Sequence, residues 1–379
     1  MNAFAAGFSN HPNSATATGE AVASVADHLA RRDLVVVGIG GAHEAEAEEI
    51  ERAVRSLLSP GVAITFTTGS VLGGGVEAEG LPAISIFAAS FEHALATVFA
   101  IDTIETPEGA AMVGMVDEFA SATAALLFAD PFTTPAEAVA RQIGLEYPQI
   151  ALVGGLMTTH THPGPAWLSI NGDVHDRGAV GVAFEGIDMT AVVSQGCRPV
   201  GEPFVITNGE ANLITELGGK PALTRLMELV ELVAPDEREL LASGLHIGLV
   251  IDEHQSEFHR GDFLVRAVLG ADHDRGGIAI GDRVEIGQTV QFQVRDAESA
   301  DEDLRTALVH VDHASAALLF TCNGRGQSLF ERPNHDTETI QELLGPIPLG
   351  GAFCAGEFGP VGGKNFVHGF TASMAIFHG

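Results

Sequence analysis

The residues best equipped for chemistry lie near the C-terminal end, in LGGAFCAGEFGPVGGKNFVHGFTASMAIFHG. Gly350 and Gly351 interrupt an apolar run. Cys354, Glu357, Lys364, Asn365 and His368 then follow in a glycine-dense loop, and the β-compatible run Thr371–Phe377 closes it. Groups of both charge signs therefore meet between two apolar segments. Glycine permits close backbone approach and positive φ, and loops held by rigid strands are where binding groups concentrate. In such a loop Glu357 would take a ligand ammonium, and Lys364 or Arg295 a carboxylate. Asn365, His368 and the amides at Gly350 and Gly351 would orient the ligand. The competing account is a tight connection whose glycines only serve the turn. Cys354 with His368 as base offers a second chemistry, a thiolate nucleophile, although a lone cysteine is as readily a small buried hydrophobe.

Three earlier stretches carry related signals. Thr68 sits in Thr67-Thr68-Gly69-Ser70, a turn whose hydroxyls and amides tolerate an anion. Gly154 and Gly155 precede Met157-Thr158-Thr159-His160-Thr161-His162. In an extended segment His160 and His162 share a face, which suits two imidazoles on one metal. Spacing fixes no third ligand, so neither metal nor cofactor is assigned. Gly38-Ile39-Gly40-Gly41 lacks the helix glycine of a dinucleotide fingerprint.

An internal repeat organises these residues. Ala124–Phe128 (AALLF) matches Ala316–Phe320, Gly154-Gly155 matches Gly350-Gly351, and Val174-His175 matches Val367-His368, all at nearly one offset. The expected fold is mixed α/β: two related halves, each a β-sheet covered by helices, from an internal duplication. Punctuation at 195–202 divides them into 1–195 and 196–379. In the first half the pattern predicts a helix over 15–31, a strand over 34–37, and an amphipathic helix over 44–59 with Ile50, Val54, Leu57 and Leu58 on one stripe. Thr134-Pro135-Ala136-Glu137 reads as a capping box. Arg266 and Arg295, on strand segments, pair with carboxylates or grip an acidic ligand.

Composition limits the partners. The 379 residues are 46% hydrophobic, enough for true cores, which disorder is not. Fifty acidic against 19 basic residues give a net charge of -31. That excludes nucleic acid, whose binding rests on cationic neutralisation of phosphates, and disfavours anionic membrane surfaces. Three widely spaced cysteines form no disulfide framework or zinc ribbon. The N-terminus lacks the pattern of a signal peptide. The most apolar window, Ile84 to Ile101, is broken by Glu92 and His93 and is too short for a membrane span. The expected location is cytoplasmic.

Six stretches, in order, resemble the FIST proteins: FAAGFSNHPNSATA, ITFTTGSVLGGG, GCRPVGEPFVIT, FLVRAVLGAD, GQTVQFQVRDAESADEDL and GEFGPVGGKNFVHGFTAS. They span nearly the whole chain, a FIST_N part followed by a FIST_C part. The resemblance implies a sensory module of signal transduction that binds a small ligand, with amino acids the expected class. No output domain fits in the remaining length, so a signal would pass through a partner protein. The resemblance brings no set of ligand contacts, and the site residues above rest on their chemistry alone. The alternatives are a protein-binding scaffold and the Cys354–His368 enzyme. Two related halves also leave self-association open.

Overall fold

The computed structural model describes residues 1–106, 109–115 and 117–379. The chain separates into two compact units. Unit 1 combines Met1–Val193, Leu304–Val367 and Thr371–Gly379; unit 2 holds Ser194–Asp303 and His368–Phe370.

Unit 1 repeats one motif. The first copy runs β1 (Ala3–Ser9), α1 (Ser14–Ala26), β2 (Leu34–Gly40), a 3-10 turn (Gly41–Glu46), α2 (Ala47–Leu58), β3 (Val62–Thr68), the hairpin β4 (Val71–Gly73) and β5 (Val76–Ala78), then β6 (Ala83–Ser90). The second runs β7 (Leu95–Thr106), β8 (Gly109–Val113), β9 (Ala124–Ala129), α3 (Ala136–Glu146), β10 (Ala151–Leu156), the hairpin β11 (Leu168–Ile170) and β12 (Asp173–His175), then β13 (Ala179–Glu185). A third copy opens with β14 (Met189–Gln195).

Unit 2 intervenes there. It holds β15 (Cys197–Pro199), β16 (Phe204–Glu210), β17 (Leu213–Leu217), β18 (Lys220–Pro221), α4 (Ala222–Leu232), α5 (Pro235–Gly244), β19 (Leu245–Val250), β20 (Phe263–Asp272), β21 (Gly277–Ile280) and β22 (Thr289–Arg295). The order β22-β16-β17-β21-β20-β19 closes through pairing of β19 with β22. The closed antiparallel barrel leaves its six strands no free edge. Ile206, Ile214, Ile247, Ile280 and Phe292 fill its core. Arg266 pairs with Asp282 at 2.7 Å, as expected for an arginine embedded in a strand.

The third copy resumes with α6 (Ala297–Val309), β23 (Ala316–Cys322), α7 (Gln327–Phe330), α8 (His335–Leu344), β24 (Leu349–Cys354), the hairpin β25 (Glu357–Val361) and β26 (Lys364–His368), and β27 (Thr371–Phe377). In every copy the two central strands are parallel: β2 with β3, β9 with β10, β23 with β24. The final strand pairs antiparallel beside the first of them. Both faces are covered, so the strands are near-continuous apolar runs such as Leu34-Val35-Val36-Val37.

The hairpins are exchanged. β4 pairs with β24, β11 with β3, and β25 with β10, so each sheet is extended by the hairpin of another copy. Side chains of all three sheets share one core. Phe128 stacks on Phe66 at 4.8 Å between centroids and meets Phe320 edge-on at 5.6 Å. Each buried aromatic contributes roughly 2 to 3 kcal/mol.

The strand pairing around AALLF at 124–184 recurs at 316–377, and the first 90 residues follow the same order. That copy has no AALLF, and Thr65 stands where the register places Gly154 and Gly351 in the other two; only topology and register reveal it. Two local expectations change. The helix expected over 44–59 is a 3-10 turn followed by α2, and Leu57 is 61% exposed, leaving Ile50, Val54 and Leu58 as the buried stripe. No side chain caps α3, so the capping box does not form. No helix of the described residues is long and apolar enough to cross a membrane.

Candidate functional site

Strand register makes positions in the three copies directly comparable. Gly38, Phe128 and Phe320 face Phe66, Gly155 and Ala352 across the parallel pairs. Two residues further on, Thr68, Met157 and Cys354 are equivalent. Across the exchanged hairpins, Val71, Leu168 and Glu357 are equivalent. Val71 and Leu168 are core residues. Glu357 is therefore a carboxyl group in a core position, with no exposed surface. Its Oε2 accepts from Thr371 Oγ1 at 2.6 Å and Thr371 N at 3.2 Å. Burial pushes its pKa up to about 8, against those hydrogen bonds and the nearby Arg325 charge.

The other residues singled out in the sequence are occupied structurally. The Asn365 amide accepts from Leu152 N at 3.0 Å and donates to Ile150 O at 2.8 Å, so it clamps the backbone of β10 instead of orienting a ligand. Gly154 and Gly351 have φ of +144° and +151°; a Cβ there would lie 2.0 Å from Leu127 O and 1.9 Å from Leu319 O. A Cβ on Gly155 would lie 2.4 Å from Cys354 Sγ, and one on Gly350 would press on Phe87. These glycines serve close strand packing. Thr68 Oγ1 donates to Phe353 O at 2.8 Å. Lys364 is exposed on β26. His368 and Arg295 belong to unit 2, where the Arg295 guanidinium lies 5.9 Å from the Phe370 ring. Burial, then Glu357 and Cys322, push the Cys354 thiol up, away from its nucleophilic form.

At the carboxyl ends of β23 and β24 lies a buried ionic cluster that sequence reasoning missed. Arg325 Nε and Nη2 donate to Asp336 Oδ2 and Oδ1, each at 2.8 Å, a bidentate fork. Thr321 Oγ1 also donates to Asp336, and His335 Nδ1 lies 3.0 Å from it. Burial alone would raise the Asp336 carboxyl, but Arg325 and His335 hold it well below the usual range. Glu77, brought from β5, accepts Thr337 N at 2.9 Å. Burial, then the Asp336 charge, push Glu77 up to about 7. Phe330 stacks on His335 and covers Arg325. The only sequence trace was an arginine after an apolar strand and an acidic residue opening a helix, 11 residues apart.

The corresponding ends of β2 and β3 are open. Equivalent residues 68 and 71, or 354 and 357, are separated by two residues; 157 and 168 are separated by ten, 158–167. This longer loop and the 3-10 turn flank an open pocket of about 510 Å³, lined by Gly41, Ala42, Glu44, Ala45, Pro165, Ala166 and Trp167. Thr159 Oγ1 donates to Glu44 Oε1 at 2.9 Å, and His160 Nε2 is 3.7 Å from the same oxygen. The His160 and His162 rings are 5.9 Å apart. Among the described residues no three His, Cys, Asp or Glu side chains are placed to hold a metal ion. In open α/β sheets, ligands enter at the carboxyl ends of the strands.

The fold is that of a repeat-built α/β protein. Residues 33–220 match the FIST N domain and residues 222–360 the FIST C domain. The chain belongs to the FIST family, whose domains are sensory domains of signal transduction. It is 42% identical over 381 residues to the uncharacterized protein MT0656 of Mycobacterium tuberculosis (strain CDC 1551 / Oshkosh), covering 98% of each chain. It is 41% identical over 373 residues to the uncharacterized protein Mb0898c of Mycobacterium bovis, covering 97% of this chain and 96% of that one.

Proposed function

We propose that this chain is a sensor that takes a small amine-bearing ligand into the pocket beneath the 158–167 loop and signals through a partner protein. The observation that carries the reading is the loop itself. One copy of three carries ten residues where the others carry two, and the additional residues bring Pro165, Ala166 and Trp167 to the pocket wall and His160 to 3.7 Å from Glu44 of the 3-10 turn. Loops this far from the repeat's own pattern are more often functional than structural. Glu44 would receive the ammonium. Trp167 would cover the apolar part, and its ring face suits a cation. His160 would face a carboxylate, which makes an amino acid the ligand class of choice. The net charge of -31 draws cations toward the protein. The strongly raised Cys354 thiol weighs against the thiol-enzyme alternative.

Trp167 is the only tryptophan in the chain, so its emission reports this pocket alone. Titration with amino acids and simple amines is expected to give a saturable change that Glu44→Gln abolishes. A ligand that raises the unfolding midpoint while leaving Trp167 emission unchanged would place the site elsewhere and overturn this reading.

A further inference from the structure

A second place in the first copy carries chemistry that the sensor reading does not use. Ser14 opens α1, directly after Asn13, whose Oδ1 accepts Thr16 N at 3.0 Å. His43 reaches it from the 3-10 turn: Ser14 Oγ lies 2.8 Å from His43 Nδ1. The other ring nitrogen, Nε2, lies 3.0 Å from His11 O. A carbonyl can only accept, so Nε2 carries the proton. The neutral ring then holds its lone pair on Nδ1, aimed at the serine hydroxyl. The imidazole is thus fixed in the tautomer that a general base needs, with a backbone carbonyl as its orienting group. Ser14 and His43 are 5% and 1% exposed. Ser14 nevertheless lines one end of a groove of about 290 Å³ between α1 and α2, with Ala15, Thr18, Glu46, Ile50 and Leu57. Its position at the start of a 13-residue helix adds the positive end of the helix dipole beside Oγ.

We propose that Ser14 and His43 form a nucleophile–base pair that cleaves short-chain carboxylic esters. Ser14 Oγ attacks the ester carbonyl as its proton passes to His43 Nδ1. The Oγ–C bond forms, the C–O bond to the alcohol breaks, and the proton leaves with that oxygen as the free alcohol. Water then repeats the sequence on the acyl-serine, again losing its proton to His43. The carboxylic acid is released and Ser14 recovers its hydrogen. Apolar walls from Ala15, Ile50 and Leu57 suit a small acyl chain. Glu46 and Glu49 on the groove disfavour anionic esters and favour neutral or cationic ones.

The test is covalent labelling of the full-length chain with diisopropyl fluorophosphate, read by intact mass and peptide mapping. The expected result is one adduct, on Ser14, absent in Ser14→Ala. In His43→Gln labelling should slow by about 100-fold or more, the range of general-base assistance. An unmodified wild-type protein, or an adduct on another serine, overturns the proposal and makes the pair a structural hydrogen bond. Labelling of Ser14 at an unchanged rate in a folded His43→Gln variant overturns the role of the base. If that variant fails to unfold cooperatively, the comparison of wild type with Ser14→Ala still decides whether Ser14 is the nucleophile.

Discussion

The strand ends of the third copy and of the first share one frame and hold opposite contents. In the third, Arg325, Asp336, Glu77 and Glu357 are all at most 4% exposed and bind one another or the chain. In the first, Glu44 and His160 are more than one-third exposed, beside an open pocket. The difference teaches what each set of charges does. A charge buried with its partner holds the fold in register and is costly to break. A charge at an open pocket contributes little to stability and is available to a ligand.

The comparison breaks most visibly at Arg325. Arg325→Leu leaves the Asp336 carboxylate buried without its guanidinium partner, and should cost about 3–5 kcal/mol. Denaturant unfolding reads this directly; a loss under about 1 kcal/mol would mean that the cluster is not the internal tie described above.

Glu357→Gln is expected to have a pH-dependent effect. The raised folded-state pKa of Glu357 means that the folded protein holds its proton more tightly than the unfolded chain. That stabilisation is complete below the unfolded value of about 4.5 and is lost as pH rises through about 8. Glutamine keeps a neutral group with the same acceptor for Thr371. The stability of the variant relative to wild type should therefore rise with pH across that window, by up to about 1.4 kcal/mol per pH unit. A difference that stays flat from pH 5 to pH 9 would show that Glu357 does not hold a proton there.

Cutting the roof sharpens the contrast from the other side. Deleting 158–165, which leaves Ala166-Trp167 as the two residues that the other copies have there, should change stability only slightly, since loop closure depends weakly on length. It should remove the thermal shift given by any ligand that quenches or shifts Trp167 in the intact chain. A retained shift would detach the ligand from the loop. Smallest of all is Glu44→Gln, with stability expected within about 0.5 kcal/mol of wild type. A loss comparable to that of Arg325→Leu would erase the distinction between the two strand ends.

Much of the fold was legible because local patterns carry it. Alternating helix and strand signals gave the mixed α/β class, and repetition of AALLF with the glycine pairs gave two related segments. The six stretches, in their order, carried the resemblance to the family. The candidate site was less legible. Glu357, Asn365 and the glycines were visible as residue types, but type does not say whether a group faces a ligand or its own backbone. Asn365 serves β10, more than 200 positions away, and Gly154 and Gly351 serve neighbouring strands. Arg325 with Asp336, Glu77 with Thr337, and Ser14 with His43 carried no motif.

The sequence by itself determined the elements and the charge, because these follow from propensity, periodicity and composition along the chain, and its ordered motifs carried the family resemblance. The tertiary structure alone decided the third copy, the exchange of hairpins, and which charges are sealed and which are open. Those depend on strand register across distant segments. Register converts one glutamate into a core residue while leaving another, on a similar strand end, at the rim of a pocket.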